Sequence, residues 1–216
     1  MDAKNAKAKR NISFTSHFPR GGLSSLSALA AYVLFMPGCS LFEPREPEQP
    51  AVLRSTFNAP TEPLTVLDNM TAAFRELNAV NYLRCLSDSL SSGPFSFEPT
   101  PAAASGYGIF AEWTKSSEEH YFTNIRSRLP SGTAMILSFG TPSLQSIQAD
   151  SVLVEVTYDL SVPHGQEGVP QRGIGRAQMM MYLDRPTGFW SIRRWSDLVT
   201  DSNAETWSDV KGAFGQ

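Results

Sequence analysis

Ser151-Val-Leu-Val-Glu-Val-Thr-Tyr-Asp-Leu-Ser161 is the stretch that decides the fold. Val152, Val154, Val156, Tyr158 and Leu160 point one way. Leu153, Glu155, Thr157, Asp159 and Ser161 face a wetter side. A period of two with one polar face predicts an antiparallel strand lying half-buried on a core. The rhythm returns from Gly173 to Asp184, where Ala177, Met179, Met181 and Leu183 share a face. It returns again from Phe189 to Trp195, where Trp190 and Ile192 fall on one face and Phe189 and Ser191 on the other. A loop over 163–171 and a tight turn at Pro186-Thr-Gly188 connect these strands, and Thr133 to Phe139 supplies an earlier one.

Upstream the period is helical. Leu64, Leu67, Met70, Ala73, Phe74 and Leu77 make one stripe, so a helix is expected from Pro63 to about Leu77 with Thr61 as its cap. A short helix from Val80 to Leu86 carries Tyr82, Leu83 and Leu86. Phe95-Ser-Phe97 reads as a short strand, and 99–108, rich in Pro, Ala and Gly, as a loop. Ser116 and Glu119 form a capping-box pattern for a third helix running to Leu129, and Ser202 with Glu205 one for a terminal helix ending at Phe214. A meander of long strands needs helices over its apolar face. The expected fold is therefore α+β, with N-terminal helices packed on a strongly curved antiparallel sheet and one domain over 62–216.

The N-terminal part reads differently. Lys4, Lys7, Lys9, Arg10 and Arg20 precede an apolar run from Leu23 to Met36, too short for a comfortable membrane span. The run ends in Met36-Pro-Gly-Cys39, which resembles the lipobox of bacterial lipoproteins. The resemblance implies a signal peptide over 1–38 and a diacylglycerol on Cys39, the first mature residue. Met36 and Pro37 depart from the usual Leu and Ala or Ser. Ser40 lacks the Asp that commonly signals inner-membrane retention, so in a two-membrane bacterium the expected location is the outer membrane, facing the periplasm. Residues 39–61, with Glu43-Pro-Arg-Glu-Pro-Glu-Gln-Pro50, read as an extended tether.

Three segments look like parts of an NTF2-like domain: Leu67-Asp-Asn-Met-Thr-Ala-Ala-Phe-Arg-Glu-Leu-Asn78, Tyr82-Leu-Arg-Cys-Leu86 with Phe95-Ser-Phe97, and Gly188-Phe-Trp-Ser-Ile-Arg-Arg-Trp195. Trp195-Ser-Asp197, Thr206-Trp-Ser208 and Lys211-Gly212 are similar to the ending of certain bacterial envelope lipoproteins. The resemblance implies a cone whose open end can hold a ligand, with Tyr82, Tyr158, Met179, Met181 and Trp190 as candidate pocket residues. Enzymes of that type resemble ketosteroid isomerases and polyketide cyclases, which pair a pocket Asp base with a Tyr or Asp/His donor. No residue of this chain matches such a dyad in sequence, so no catalytic residue is assigned. Asp159 with Tyr182 is the pair to examine first.

Composition narrows the function further. The chain has 216 residues at a net charge of −3. The leader holds five basic residues against one acid, so the remainder stands at about −7, with Lys115 and Lys211 its only lysines. Nucleic-acid binding needs a basic footprint that is missing. Cys85, between Leu83 and Leu86, is expected in the core. His120 and His164 lack ligands at metal-binding spacing, and Gly173-Ile-Gly175 lacks the third glycine and the helix of a dinucleotide loop, so neither metal nor cofactor is expected. Arg172 and Arg176 share a strand face and are expected to pair with Glu155, Asp159 or Asp184, while adjacent Arg193 and Arg194 should diverge. The expected role is a non-enzymatic binding module held at a membrane through Cys39, with a small apolar ligand or an envelope protein as partner and a homodimer left open. A lipid-anchored isomerase, cyclase or hydratase is the alternative.

Overall fold

A computed structural model of the chain describes residues 55–88 and 92–216. The expected leader, Cys39 and most of the expected tether lie outside the described residues. The element order is α1 (Pro63–Arg75), α2 (Ala79–Arg84), β1 (Ser96–Glu98), α3 (Pro101–Gly106), a 3-10 turn (Gly108–Glu112), α4 (Lys115–Arg128), β2 (Ile136–Phe139), β3 (Ser143–Gln148), β4 (Ser151–Ser161), β5 (Arg172–Asp184), β6 (Phe189–Leu198) and α5 (Trp207–Phe214). The strands form one sheet in the order β1-β6-β5-β4-β2, and β3 pairs with the other half of the β4 edge. β4, β5 and β6 run antiparallel as the alternation requires. β1 adds to β6 in parallel, Phe97 opposite Trp195.

The inner face of this sheet is the predicted one. Val154, Val156, Tyr158, Leu160, Ala177, Met179 and Met181 are all buried. Val66, Met70 and Phe74 of α1, Tyr82 of α2, and Phe122 and Ile125 of α4 cover them. Phe74 is edge-on to Tyr82, Phe122 and Trp207, with ring centroids 5.1–5.4 Å apart. Each ring pair of this kind adds about 0.5–1.5 kcal/mol beyond its burial.

Several local expectations change. Glu62, not Thr61, occupies the α1 cap position, and no side-chain cap bond forms there. The capping box of α4 lies two residues earlier than expected, at Thr114 and Ser117, which leaves Glu118 free to turn inward. α5 is boxed by Thr206 and Asp209, so the terminal helix is only eight residues long. The expected loop 99–108 contains α3, started by the Thr100 side chain, which accepts from Ala103 N, and by Pro101 at its first turn. The folded body also reaches back to Ser55. Asn69 bonds both backbone groups of Asn58, Asn81 donates to Ser55 Oγ, and Trp190 N donates to Pro60 O, so 55–61 pack on the domain instead of serving as tether.

One irregularity in β6 reshapes the site. Met180 pairs with Arg194 and Met181 with Ile192, so Arg193 is an extra, unpaired residue: a β-bulge. Strict alternation would send Arg193 and Arg194 to opposite faces. The bulge instead keeps Ile192 and Trp195 both inside, and it turns both arginines to the outer face.

Candidate functional site: the interior of the cone

The concave face of the sheet is where a cone of this shape would receive a ligand. Here α5 lies across it. Trp207 meets Trp195 edge-on at 4.4 Å and Tyr158 at 5.2 Å. Its indole Nε1 donates to Tyr121 Oη at 3.1 Å. The seating is close: a Cβ on Gly212 would lie 2.3 Å from the Tyr107 ring, so only glycine lets the helix approach there.

Two buried polar groups fix α5 in place. The first centres on Glu118, which is fully buried on α4. Lys211 Nζ donates to its Oε1 at 2.5 Å, Trp113 Nε1 to the same oxygen at 2.7 Å, and Tyr82 Oη to Oε2 at 2.7 Å. The Lys211 ammonium also sits over the rings of Phe97 (3.6 Å) and Trp195 (3.8 Å). Burial pulls the Lys211 pKa down to about 8, against the opposing pull of Glu118. The second group centres on Asp197 of β6. Tyr158 Oη donates to Oδ1 at 2.6 Å, while Ser208 donates to Oδ2 from its N at 2.8 Å and its Oγ at 2.6 Å. Tyr158 Oη in turn accepts from Trp207 N at 2.8 Å. Desolvation raises the Asp197 pKa despite these donors. Tyr82, Tyr121 and Tyr158 are all pushed up, burial being the largest cause in each.

The chemistry of these groups follows from their partners. Every oxygen of both carboxylates already accepts from the protein. A general acid or base must reach the proton it moves, directly or through one water. Glu118 and Asp197 are closed in by Trp113, Trp207 and Tyr121, and they act as clamps between α4, α5 and the sheet. Trp195 Nε1 and Arg176 Nε are buried donors without a partner among the described residues.

The residues singled out in the sequence separate accordingly. Tyr82, Tyr158, Met179 and Met181 stand in the packed interior, none more than 2 % exposed. Trp190 is half-buried at the far end of β6, where it lines a hollow of about 190 Å³ with Phe57, Pro60 and Lys115. Asp159 and Tyr182 do not meet. Asp159 is opposite Ile174 and Tyr182 opposite Ser151, eight residues apart along the ladder. Asp159 is bound instead by Arg172 at 2.5 Å, which holds its carboxyl below the usual range. Arg176 pairs with Glu155 at 3.1 Å, as expected. Cys85 is buried, its thiol pushed up to about 12 by burial. His164 is 5 % exposed: Nε2 meets Pro170 O, Nδ1 accepts from Gln166 N, and the ring rests on Phe214. Sequence reading missed Glu118, Asp197 and Lys211 as interior groups. The signal for Lys211 was its rarity, one of two lysines after Lys9, set among Trp207, Val210 and Phe214.

Among the described residues no cluster of His, Cys, Asp and Glu could hold a metal, and no helix is long and apolar enough to cross a membrane. No family model matches the sequence, and no curated protein matches it. Solved structures do resemble it. A protein provisionally named an aromatic ring hydroxylase, from Novosphingobium aromaticivorans, aligns over 68% of this chain and 92% of its own at TM-score 0.50 and 10% identity. Kfla4162 from Kribbella flavida covers 69% of this chain and 94% of its own at TM-score 0.48 and 10% identity. An NTF2-like superfamily protein from Salmonella enterica covers 64% and 89% at TM-score 0.47 and 13% identity. Identity this low speaks to fold alone. With its two layers, its curved antiparallel sheet and its N-terminal helices, the chain has an NTF2-like fold whose concavity is occupied by its own C-terminal helix.

Proposed function

We propose that the chain is a lipid-anchored envelope protein whose folded domain binds a ligand or protein partner and turns nothing over. The observation that carries the second half is the occupancy of the cone. α5 fills the place of a substrate, and each interior carboxylate has all its oxygens engaged by protein donors. What remains accessible is the outside of the domain. The anchor half rests on the basic leader, the apolar run and Met36-Pro-Gly-Cys39. Outer-membrane placement, facing the periplasm, follows from Ser40 if the source has two membranes.

Mass spectrometry of the membrane fraction tests the anchor: the mature chain should begin at an acylated Cys39, and Cys39→Ala should block maturation. Unmodified protein that keeps residues 1–38 would refute it. One observation favours a second reading, an enzyme of isomerase or cyclase type. Tyr158 and Asp197 are a hydrogen-bonded, desolvated Tyr/Asp pair on the concave face. They could serve a substrate only if α5 left its seat.

A further inference from the structure

The outer face of the sheet carries five arginines from β5, β6 and the turn between them, and they are not equivalent. Arg172, Arg176 and Arg185 each have a carboxylate, Asp159, Glu155 and Asp150 respectively. Arg193 and Arg194 have none among the described residues. The β-bulge turns this adjacent pair to the same side. With Pro94, Ser96, Met180 and Tyr182 they line a hollow of about 400 Å³. Glu98, the carboxylate on the β1 strand beside them, is engaged by Ser196 Oγ.

Arg193 is also held in position. Its guanidinium lies 5.1 Å from the centroid of the Tyr182 ring. The backbone of Gly93 is also close: a Cβ there would come within 2.9 Å of the Arg193 Nη2 atom. Gly93 has φ +93°, a conformation other residues rarely adopt. The bulge, the Gly93 backbone and the Tyr182 ring together bring Arg193 to the same hollow that Arg194 lines. Two guanidinium forks lining one hollow offer enough donors for the several oxygens of a phosphoryl group. The hollow is larger than a bare phosphate needs, and Met180 and Tyr182 give it apolar walls for the organic part of a ligand.

We propose that Arg193 and Arg194 bind the phosphoryl group of an organic phosphate, supplied by a soluble molecule or by a lipid headgroup. The inference rests on the reading of the domain as a binding module and gives that module its ligand class. The test uses the chain from Ser40 onward, made without residues 1–39, so that neither an acyl chain nor the basic apolar N-terminal run docks by itself. Calorimetry with glycerol phosphate and with inorganic phosphate is compared with flotation on phosphatidylcholine vesicles with and without phosphatidylglycerol. The comparison variant is Arg193→Ala/Arg194→Ala, with Arg172→Ala as control. Losing charge-assisted hydrogen bonds should weaken binding about tenfold or more in the double variant and leave the control unchanged. Added salt should weaken the wild type. Arginine-dependent binding of glycerol phosphate identifies a soluble ligand. Arginine-dependent binding only to vesicles containing phosphatidylglycerol identifies a headgroup. No binding by the wild type in either arm, or equal binding by the double variant, overturns the proposal. Such a failure would leave the filled interior, and the absence of turnover argued from it, standing.

Discussion

Lys211→Met is the sharpest perturbation of the interior. Methionine keeps the length and apolar stem of lysine, so the packing on Phe97 and Trp195 survives and only the charge is lost. What remains is Glu118, fully buried, still holding Trp113 and Tyr82 but without its counter-ion. Breaking a buried pair from one side costs about 3–5 kcal/mol. For a domain of this size that is a fall in Tm of roughly 6–20 °C. Glu118→Gln added to Lys211→Met removes the stranded charge while keeping an acceptor, and should recover most of the loss. The assay is denaturant unfolding followed by tryptophan fluorescence, with the midpoint and slope fitted for wild type, both single variants and the double. A Lys211→Met protein within about 1 kcal/mol of wild type would refute the clamp.

Two further outcomes follow from the same packing. Trp190→Ala should destabilise the protein by less than Trp195→Ala, because Trp190 is half-buried at a strand end while Trp195 is fully enclosed; the latter is expected to lose about 3–5 kcal/mol, and a reversed order in thermal unfolding would contradict the placement. Gly212→Ala should destabilise by about 1–3 kcal/mol despite the better helix propensity of alanine, since its methyl would strike Tyr107; a stabilised variant would show that α5 is not seated against that ring.

The strands were legible because β4 and β5 have one wet face, and period two survives only when burial is one-sided. The outward arginines of β5 found the carboxylates expected from cross-strand spacing. β3 was not legible: Ser143-Leu-Gln-Ser-Ile-Gln148 is exposed throughout, so nothing selects a periodic pattern. α3 hid in a Pro/Ala/Gly composition, although Thr100-Pro101 is a sound helix start. The bulge defeated the alternation rule in β6. Its trace was present in Ile192 and Trp195, two large apolar residues three apart with two arginines between them. The Glu118–Lys211 clamp joins residues 93 apart in sequence, and no local pattern records such a contact. For the same reason sequence reading points to Asp159 with Tyr182, while the Tyr/Asp pair that forms is Tyr158 with Asp197.

The central claim is that the interior carboxylates hold the domain together and do no chemistry. Catalytic groups are commonly kept at a loss of stability, and their neutral replacements leave stability unchanged or improve it. Structural clamps behave in the opposite way. In Asp197→Asn an amide replaces one acceptor, so either Tyr158 Oη or the two Ser208 donors face an N–H. The unfolding free energy of Asp197→Asn against wild type at neutral pH tests this directly. The account predicts a loss of about 2 kcal/mol or more from donors left buried and unpaired; equal or greater stability would contradict it and turn attention to Tyr158 and Asp197 as an active site.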